Sequence, residues 1–285
     1  MLIFFLFIFG LIIGSFLNVV VLRGEVGESL EGRSHCPQCK TTISWYDNIP
    51  FLSFLFLRGR CRHCQQTISW QYPLVEFCTG SVFALLGRSF FGSLGLYTLP
   101  DIIFSETVGL TYPVFILGLF LILASVLIAI IVSDIRTMTI PLLWLFLAIA
   151  LAFGIVLARF FAPNTIEILP SWQSMLWGGG IAGILFFALV FFSHETWMGM
   201  GDVWIAGVLG LTVGANLLLF ALTLSFLLGA LVGLTLLGLE KKGLKSQIPF
   251  APFLVIAIFL VWQIQWLYPA WLEYFLLPPI SFFTL

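Results

Sequence analysis

The chain has 285 residues, of which 61% are hydrophobic and only 9% charged, and its formal net charge is −1. A soluble domain carries roughly 25% charged residues, so this composition excludes an ordinary water-soluble protein. The nearly neutral charge also excludes a general electrostatic attraction to nucleic acid. The composition predicts an all-α, polytopic membrane protein.

Eight apolar segments are predicted to span the membrane. Several run for about 20 residues without a charge, which is enough to cross a hydrocarbon core of about 30 Å. The first lacks a preceding basic residue and a small-residue cleavage site, so we expect a retained helix instead of a secretory signal. The stretch 203–239 is too long for one helix, and Gly214-Ala215-Asn216 is its predicted turn. The predicted spans lie near 2–22, 72–90, 113–133, 140–162, 172–193, 202–214, 217–239 and 250–268.

The distribution of basic residues predicts the orientation. With the N-terminus outside, ten of the twelve lysines and arginines fall on the cytoplasmic side, as the positive-inside rule requires. Only Arg88 and Arg159 remain outside. The cytoplasmic set is Arg23, Arg33, Lys40, Arg58, Arg60, Arg62, Arg136, Lys241, Lys242 and Lys245.

One segment departs from the apolar pattern. Residues 23–71 are polar, basic and rich in cysteine, and they lie between the first two predicted spans. The sequence therefore predicts three parts. These are a first transmembrane helix at 1–22, a small cytoplasmic metal-binding domain at 23–71, and a helical membrane body at 72–285.

Two C-x-x-C pairs, Cys36 with Cys39 and Cys61 with Cys64, are separated by 21 residues. Two such turns can supply four thiolates to a tetrahedral site, so the spacing predicts structural zinc. Fewer than 50 residues bury little core, and a metal would supply folding free energy directly. The alternative is two redox or disulfide pairs. His35 and His63 are weaker candidate ligands.

Two acids at the membrane boundary are the candidate catalytic residues. Asp134 ends the third predicted span, and Asp202 opens the sixth within Gly199-Met200-Gly201-Asp202. The predicted topology places both on the same face. Two carboxyls converging in a poorly solvated site can share one proton and activate water against a peptide bond. Gly199 and Gly201 would permit unusual backbone angles and close approach of an extended substrate.

Each of these acids also has a simpler interpretation. Asp134 could be an interfacial charge beside Arg136, and Asp202 could be a helix N-terminal residue favoured by the helix dipole. Glu76 is expected to be buried and paired, and Cys78 to be a packed small hydrophobe.

The sequence also resembles bacterial prepilin peptidases, the type IV leader peptidases, over nearly its whole length. The resemblance rests on motifs in a fixed order, not on any single one. They are Gly14-Ser15-Phe16-Leu17-Asn18-Val19-Val20, Arg33-Ser34-His35-Cys36-Pro37, Trp45-Tyr46-Asp47-Asn48-Ile49-Pro50, Arg58-Gly59-Arg60-Cys61-Arg62, Tyr72-Pro73-Leu74-Val75-Glu76, Asp134-Ile135-Arg136 with Ile140-Pro141, Gly199-Met200-Gly201-Asp202-Val203, and Ile248-Pro249-Phe250-Ala251-Pro252-Phe253.

The resemblance implies a multi-pass enzyme of the bacterial inner membrane with its active site facing the cytoplasm. It implies that Asp134 and Asp202 are the catalytic pair and that the four paired cysteines bind the metal. Its substrates would be prepilins or pseudopilins, cut after a glycine that follows a basic leader. Many members then N-methylate the new terminus with S-adenosylmethionine, for which the sequence assigns no binding residues. The sequence sets no oligomeric state.

Two positions depart from the family pattern. Trp204 stands two residues after Asp202, where relatives usually have lysine, and Leu142 follows the Ile-Pro element, where a polar residue is common. Neither departure removes a candidate catalytic group. We expect any effect to fall on rate or pH dependence.

Three other functions remain open at this point. A membrane thiol oxidoreductase would use the C-x-x-C pairs but leaves the two acids without a role. A proton-coupled transporter would more often place its acids near the middle of the membrane. An intramembrane aspartyl protease acting on other signal peptides would share the same chemistry.

Overall fold

The computed structural model describes residues 1–93, 107–161, 169–239 and 248–267. Within these ranges the regular secondary structure is helical, including one short 3-10 turn at Trp45–Asn48, and two isolated β-bridges lie in the polar segment. The all-α prediction is therefore confirmed. The helices are α1 Leu2–Val26, α2 Leu52–Phe56, α3 Gln71–Ser93, α4 Thr107–Thr137, α5 Leu142–Phe161, α6 Trp172–Ser193, α7 Met200–Val213, α8 Ala215–Gly238 and α9 Ala251–Leu267.

Six of these helices are long and apolar enough to cross a membrane: α1, α3, α4, α5, α6 and α8. The apolar helices α7 and α9 are shorter, with 14 and 17 residues. Together these eight helices correspond one to one with the predicted spans. Lys241, Lys242 and Lys245, which contributed to the predicted orientation, lie outside the described residues.

The chain divides into two compact units, Met1–Arg88 and Ser89–Leu285, with the division inside α3. The three-part division at residues 22 and 71 follows sequence composition, and it stays a prediction.

In the first unit, α1 and α3 pack as an antiparallel pair. A Cβ on Gly10 would lie 2.7 Å from the Cα of Gly80, and one on Gly14 would lie 2.7 Å from the Cα of Glu76. Nearer the polar segment, the side-chain amide of Asn18 donates to the carbonyl of Tyr72 at 3.2 Å. Small residues thus allow the two backbones to approach closely, as is common in membrane helix pairs.

The polar segment is anchored to this helix pair through buried polar groups. The Phe51 backbone N–H donates to the Glu76 carboxylate at 2.7 Å. Glu76 is 7% exposed, so the expectation that it is buried is confirmed, and a partner of its carboxylate is the Phe51 N–H. At the end of α1, the Arg23 guanidinium donates to the carbonyls of Ser29, Glu31 and Arg33. These bonds hold the chain where it leaves the membrane helix.

In the second unit, α7 lies at the centre and contacts α5, α6, α8 and α9. Its residues 205, 206 and 208–213 are all buried, which is typical of a helix that is apolar on every side. Such a helix is covered by protein and need not match the bilayer thickness itself.

Two glycines set the distance between α6 and α7. A Cβ on Gly210 would lie 2.2 Å from the carbonyl oxygen of Gly178, and a Cβ on Gly178 would lie 2.5 Å from that of Gly210. The backbones are in direct contact there. The chain then turns at Gly214, where φ is +81°, and α8 begins at Ala215. The predicted turn is therefore at the correct position.

Candidate functional site

The four paired cysteines form one cluster in the first unit. Their Sγ atoms all lie within 4.8 Å of one another, and those of Cys36 and Cys64 are 3.9 Å apart. Four thiolates at the usual Zn–S distance of about 2.3 Å stand about 3.8 Å apart, so the cluster fits a tetrahedral zinc site. None of the chain's five cysteines is disulfide-bonded. In the described part of the chain, the cluster consists of these four cysteines and includes neither His35 nor His63.

Backbone turns bring these cysteines together. The N–H of Lys40 donates to the carbonyl of Cys36, and the N–H of Gln65 donates to that of Cys61. Lys40 and Gln65 both have a positive φ, 56° and 57°, so each pair ends in the same left-handed turn. The sequence showed two C-x-x-C pairs, and the structure shows that they are two copies of one local fold.

The thiol environment favours charged sulfur at part of the site. Hydrogen bonding by Thr41 lowers the pKa of Cys39 to about 6, and the backbone amides of Cys64 and His63 lower the pKa of Cys61. The Gln66 backbone amide lowers the pKa of Cys64, but burial and the neighbouring thiols raise it to about 11. Four thiols this close cannot all ionise easily, and a divalent cation among them would remove that conflict.

An ion pair between Arg62 and Asp47 stabilises the segment that contains the cysteines. The Arg62 guanidinium donates to both carboxylate oxygens of Asp47, at 2.7 and 2.6 Å, and these bonds lower the pKa of Asp47. Arg62 also lies 5.5 Å from the centre of the Tyr46 ring. The second cysteine turn is thereby tied to the Trp45–Asn48 turn.

Asp134 lies in the second unit, in the last turn of α4, and is 7% exposed. Its backbone carbonyl accepts from the N–H of Met138 at 2.9 Å, and the Ser133 hydroxyl donates to the carbonyl of Thr139 at 3.1 Å. These bonds turn the chain back towards α5. The carboxyl of Asp134 itself accepts a hydrogen bond from the backbone N–H of Ala251, the first residue of α9.

Asp202 lies in the first turn of α7 and is 8% exposed. Its carboxylate accepts from the backbone N–H of Gly199 at 3.3 Å, and its own N–H donates to the Gly199 carbonyl at 3.1 Å. This geometry also satisfies the simpler interpretation of Asp202 as a helix N-terminal residue, because the carboxylate occupies the positive end of the helix dipole. The two roles are compatible.

The two acids are brought together. The carboxyl of Asp134 is close enough to that of Asp202 for direct electrostatic repulsion between them. The turn after α4 also reaches the start of α7, since a Cβ on Gly201 would lie 3.1 Å from the Cδ1 of Ile140. Three motifs that are far apart in the sequence, at residues 134–141, 199–203 and 248–253, therefore meet around one pair of carboxyls.

The two glycines of this site differ from the expectation of unusual backbone angles. Gly199 has φ −86° and ψ 160°, an ordinary extended conformation, and Gly201 is helical. Neither glycine uses the unusual angles that glycine permits, and what the two glycines provide is space. Gly201 accommodates Ile140, whereas no atom lies within 4 Å of a Cβ added to Gly199. Gly199 leaves open space beside Asp202.

The two departures from the family pattern lie close to this site in the sequence. Trp204 packs edge-on against Phe146 of α5, with ring centroids 5.8 Å apart, and is 37% exposed. Leu142 is the first residue of α5 and is 65% exposed. In the first unit, Cys78 is exposed on α3, so the expectation of a packed small hydrophobe was wrong.

Comparison with known proteins places these features in a family. Residues 8–90 match the bacterial Peptidase A24 N-terminal domain, and residues 121–234 match the type IV leader peptidase family. A prepilin leader peptidase/N-methyltransferase of Bacillus subtilis is 33% identical over 250 residues, which cover 87% of this chain and 88% of that protein. The chain belongs to the type IV leader peptidase family. With its apolar helices, it is a multi-pass membrane protein.

Two further relatives support this membership. A prepilin leader peptidase/N-methyltransferase of Aeromonas hydrophila is 31% identical over 289 residues, covering 90% of this chain and 89% of that protein. One from Myxococcus xanthus is 32% identical over 254 residues, covering 85% of this chain and 66% of that protein. No solved structure matches the chain.

Two residues contribute to the site without any signal of their own in the sequence. Ala251 acts through its backbone N–H and Ile140 through its packing, so neither carries a reactive group that would single it out. Both lie in motifs by which the family was recognised. The order of those motifs was the available signal, and their convergence required the fold.

Proposed function

We propose that the chain is an aspartic endopeptidase that removes the leader of type IV prepilins or pseudopilins after a glycine. The observation that carries this proposal is the convergence of Asp134 and Asp202, two buried acids in a chain of the type IV leader peptidase family. An ionisable residue within a membrane protein is costly and needs a functional reason. Two buried acids that repel each other need a still stronger functional reason.

In the proposed reaction, one carboxyl of the pair is ionised and the other is protonated. The ionised carboxylate removes a proton from water as the water oxygen attacks the carbonyl carbon of the scissile bond. The protonated carboxyl then delivers its proton to the leaving nitrogen as the C–N bond breaks. The Gly199 and Ala251 amides orient the two carboxyls, and the open space at Gly199 admits an extended substrate backbone.

A zinc ion held by Cys36, Cys39, Cys61 and Cys64 would have a structural role. Four thiolates fill a tetrahedral coordination shell and leave no position for water or substrate. Bound zinc would supply folding free energy to a segment with little core of its own. The hydrolysis itself is assigned to the aspartates.

We further propose that the N-terminus lies outside and that the aspartates face the cytoplasm of a bacterial inner membrane. The ten-to-two division of basic residues supports this orientation. The basic leader of a substrate would then remain on the cytoplasmic side, with the substrate's own apolar helix alongside the peptidase helices.

The relatives' shared name extends the proposal to a second step, N-methylation of the newly exposed terminus. S-adenosylmethionine would be its methyl donor. No residue of this chain is assigned to that cofactor, so the second step rests on the relatives alone.

Co-expression with a candidate prepilin, followed by mass analysis of the mature N-terminus, tests both activities at once. We expect loss of the leader after its glycine, and an added methyl group of about 14 Da if the second step occurs. If the prepilin keeps its leader while an unrelated signal peptide is cleaved, the result would favour the alternative, an intramembrane protease that acts on other signal peptides. A prepilin and a signal peptide that both stay intact would contradict the protease assignment.

A further inference from the structure

The first unit contains a groove that neither the aspartates nor the cysteine cluster uses. It has a volume of about 770 Å³ and is lined by two short stretches of chain: residues 54–55 with 58–60, and residues 67–70. The Arg60–Thr67 bridge and a 2.7 Å hydrogen bond from the Ile68 N–H to the Gly59 carbonyl join the two stretches. These bonds flank the second cysteine turn, so the same local fold positions both sites.

One wall of the groove is apolar and unusually exposed. Trp70 is 73% exposed and Leu55 is 52% exposed. Phe56, which follows Leu55 in the chain but does not line the groove, is 83% exposed. The buried Phe54 supports Trp70 from behind, with ring centroids 4.8 Å apart. In a polar segment, exposed side chains of this size mark a contact surface.

The other wall is cationic. Arg58 and Arg60 both line the groove and are exposed, and neither forms an ion pair with a carboxylate in the described part of the chain. Arg62, two residues further on, is different because Asp47 neutralises it. The groove therefore presents two free positive charges next to an aromatic and aliphatic surface, which is complementary to an anionic amphiphile.

The helix pair fixes the depth of the groove relative to the apolar spans. In the antiparallel packing of α1 and α3, Gly10 lies opposite Gly80, Gly14 opposite Glu76, and Asn18 opposite Tyr72. By the same register, Trp70 is level with Val20. Val20 lies three residues before Arg23, the first charged residue of α1, which is about 4.5 Å along the helix. This is the level at which membrane proteins place interfacial tryptophans.

We propose that this groove binds the headgroup of an anionic phospholipid from the surrounding bilayer. The phosphate lies between Arg58 and Arg60. The Thr67 hydroxyl can donate to the glycerol of the headgroup, and so can the Ser69 hydroxyl, whose oxygen accepts from the Gln71 N–H at 3.2 Å. The start of the acyl chain lies against Leu55 and Trp70. A bound lipid of this kind would fasten the cysteine-containing segment to the membrane surface beside the entry of α3. This inference is independent of the proposed peptidase activity.

The test uses the full-length chain in detergent, with native mass spectrometry of added phosphatidylglycerol and phosphatidylcholine. We expect preferential retention of phosphatidylglycerol. Arg58→Gln and Arg60→Gln should each weaken it about fivefold, as expected for one basic residue near an anionic lipid surface. Arg58→Lys should retain the binding. The matched control is Arg33→Gln, which removes an exposed arginine outside the groove and should leave lipid binding unchanged.

Further measurements separate this proposal from its competitors. Metal content, measured for every variant, shows whether the nearby cysteine site is intact. Trp70→Ala should lower retention of phosphatidylglycerol without changing the direct binding of soluble glycerophosphoglycerol, because that compound lacks an acyl chain. Equal retention of the two lipids, or equal effects of Arg33→Gln and Arg58→Gln, would overturn the proposal. So would displacement of the lipid by an acidic peptide at equal concentration, which would indicate a protein partner.

Discussion

Replacement of Gly210 by alanine should separate α6 from α7 and thereby disturb the site at the start of α7. The added Cβ would lie 2.2 Å from the Gly178 carbonyl oxygen, 2.4 Å from its carbonyl carbon and 2.6 Å from the Gly179 nitrogen. All three atoms belong to backbone, so no side-chain rotation relieves the clash. Ordinary contact begins near 3.4 Å, so the two helices must separate locally by about 1.2 Å.

Two consequences follow from that separation. Overpacking of this kind costs about 1–3 kcal/mol of stability. Asp202 lies eight residues from Gly210 on the same helix, about 12 Å away. A displacement of about 1 Å in a catalytic group can lower the rate by about 100-fold. We therefore expect Gly210→Ala to be less stable and to cleave substrate much more slowly.

Gly207→Ala provides the matched control. Gly207 lies on the same helix, but a Cβ there would have only an ordinary 3.7 Å contact with Ile149 Cδ1. Alanine has a higher helix propensity than glycine, by about 1 kcal/mol, so Gly207→Ala should preserve or raise stability. Thermal unfolding in detergent and leader cleavage are measured for both variants. If Gly210→Ala unfolds and cleaves as Gly207→Ala does, the close helix contact has no such role.

Two more predictions concern the metal and the open space beside Asp202. Metal analysis of the purified chain should give about one zinc per chain. The double variant Cys61→Ser/Cys64→Ser should lose the zinc, and the control Cys78→Ser should retain it. A metal-free chain that is fully folded would refute the zinc assignment. Gly199→Ala should lower kcat/KM for leader cleavage at an unchanged unfolding temperature, because the added Cβ enters space left for substrate. The control is Gly180→Ala, whose Cβ also meets nothing within 4 Å and which should leave cleavage unchanged. Equal activity of the two variants would contradict a substrate role for the space at Gly199.

Much of the architecture could be predicted because membrane helices have a strong sequence signal. Each backbone polar group must be satisfied within the apolar segment, so long apolar runs form helices. Gly214 marked the division between α7 and α8 because only a residue tolerant of positive φ fits there easily. The pairing of the four cysteines into one cluster followed from ligand chemistry and spacing.

Other features depended on how helices pack and could not be read from the sequence. Gly178 and Gly210 are two among 26 glycines, and nothing local distinguishes them. The bond from Ala251 to Asp134 involves a backbone group that every residue except proline possesses. The convergence of Asp134 with Asp202 could be predicted only as far as a shared membrane face. Their catalytic roles stay a prediction.

The most direct test of the central claim is leader cleavage by Asp134→Asn and Asp202→Asn in membranes, with Glu195→Gln as the carboxyl-to-amide control. Glu195 is an exposed acid in the loop before α7 and has no place in the proposed reaction. We predict that each aspartate variant inserts normally but leaves the prepilin uncut, while Glu195→Gln cleaves at the wild-type rate. Normal cleavage by either aspartate variant would contradict the two-carboxyl mechanism.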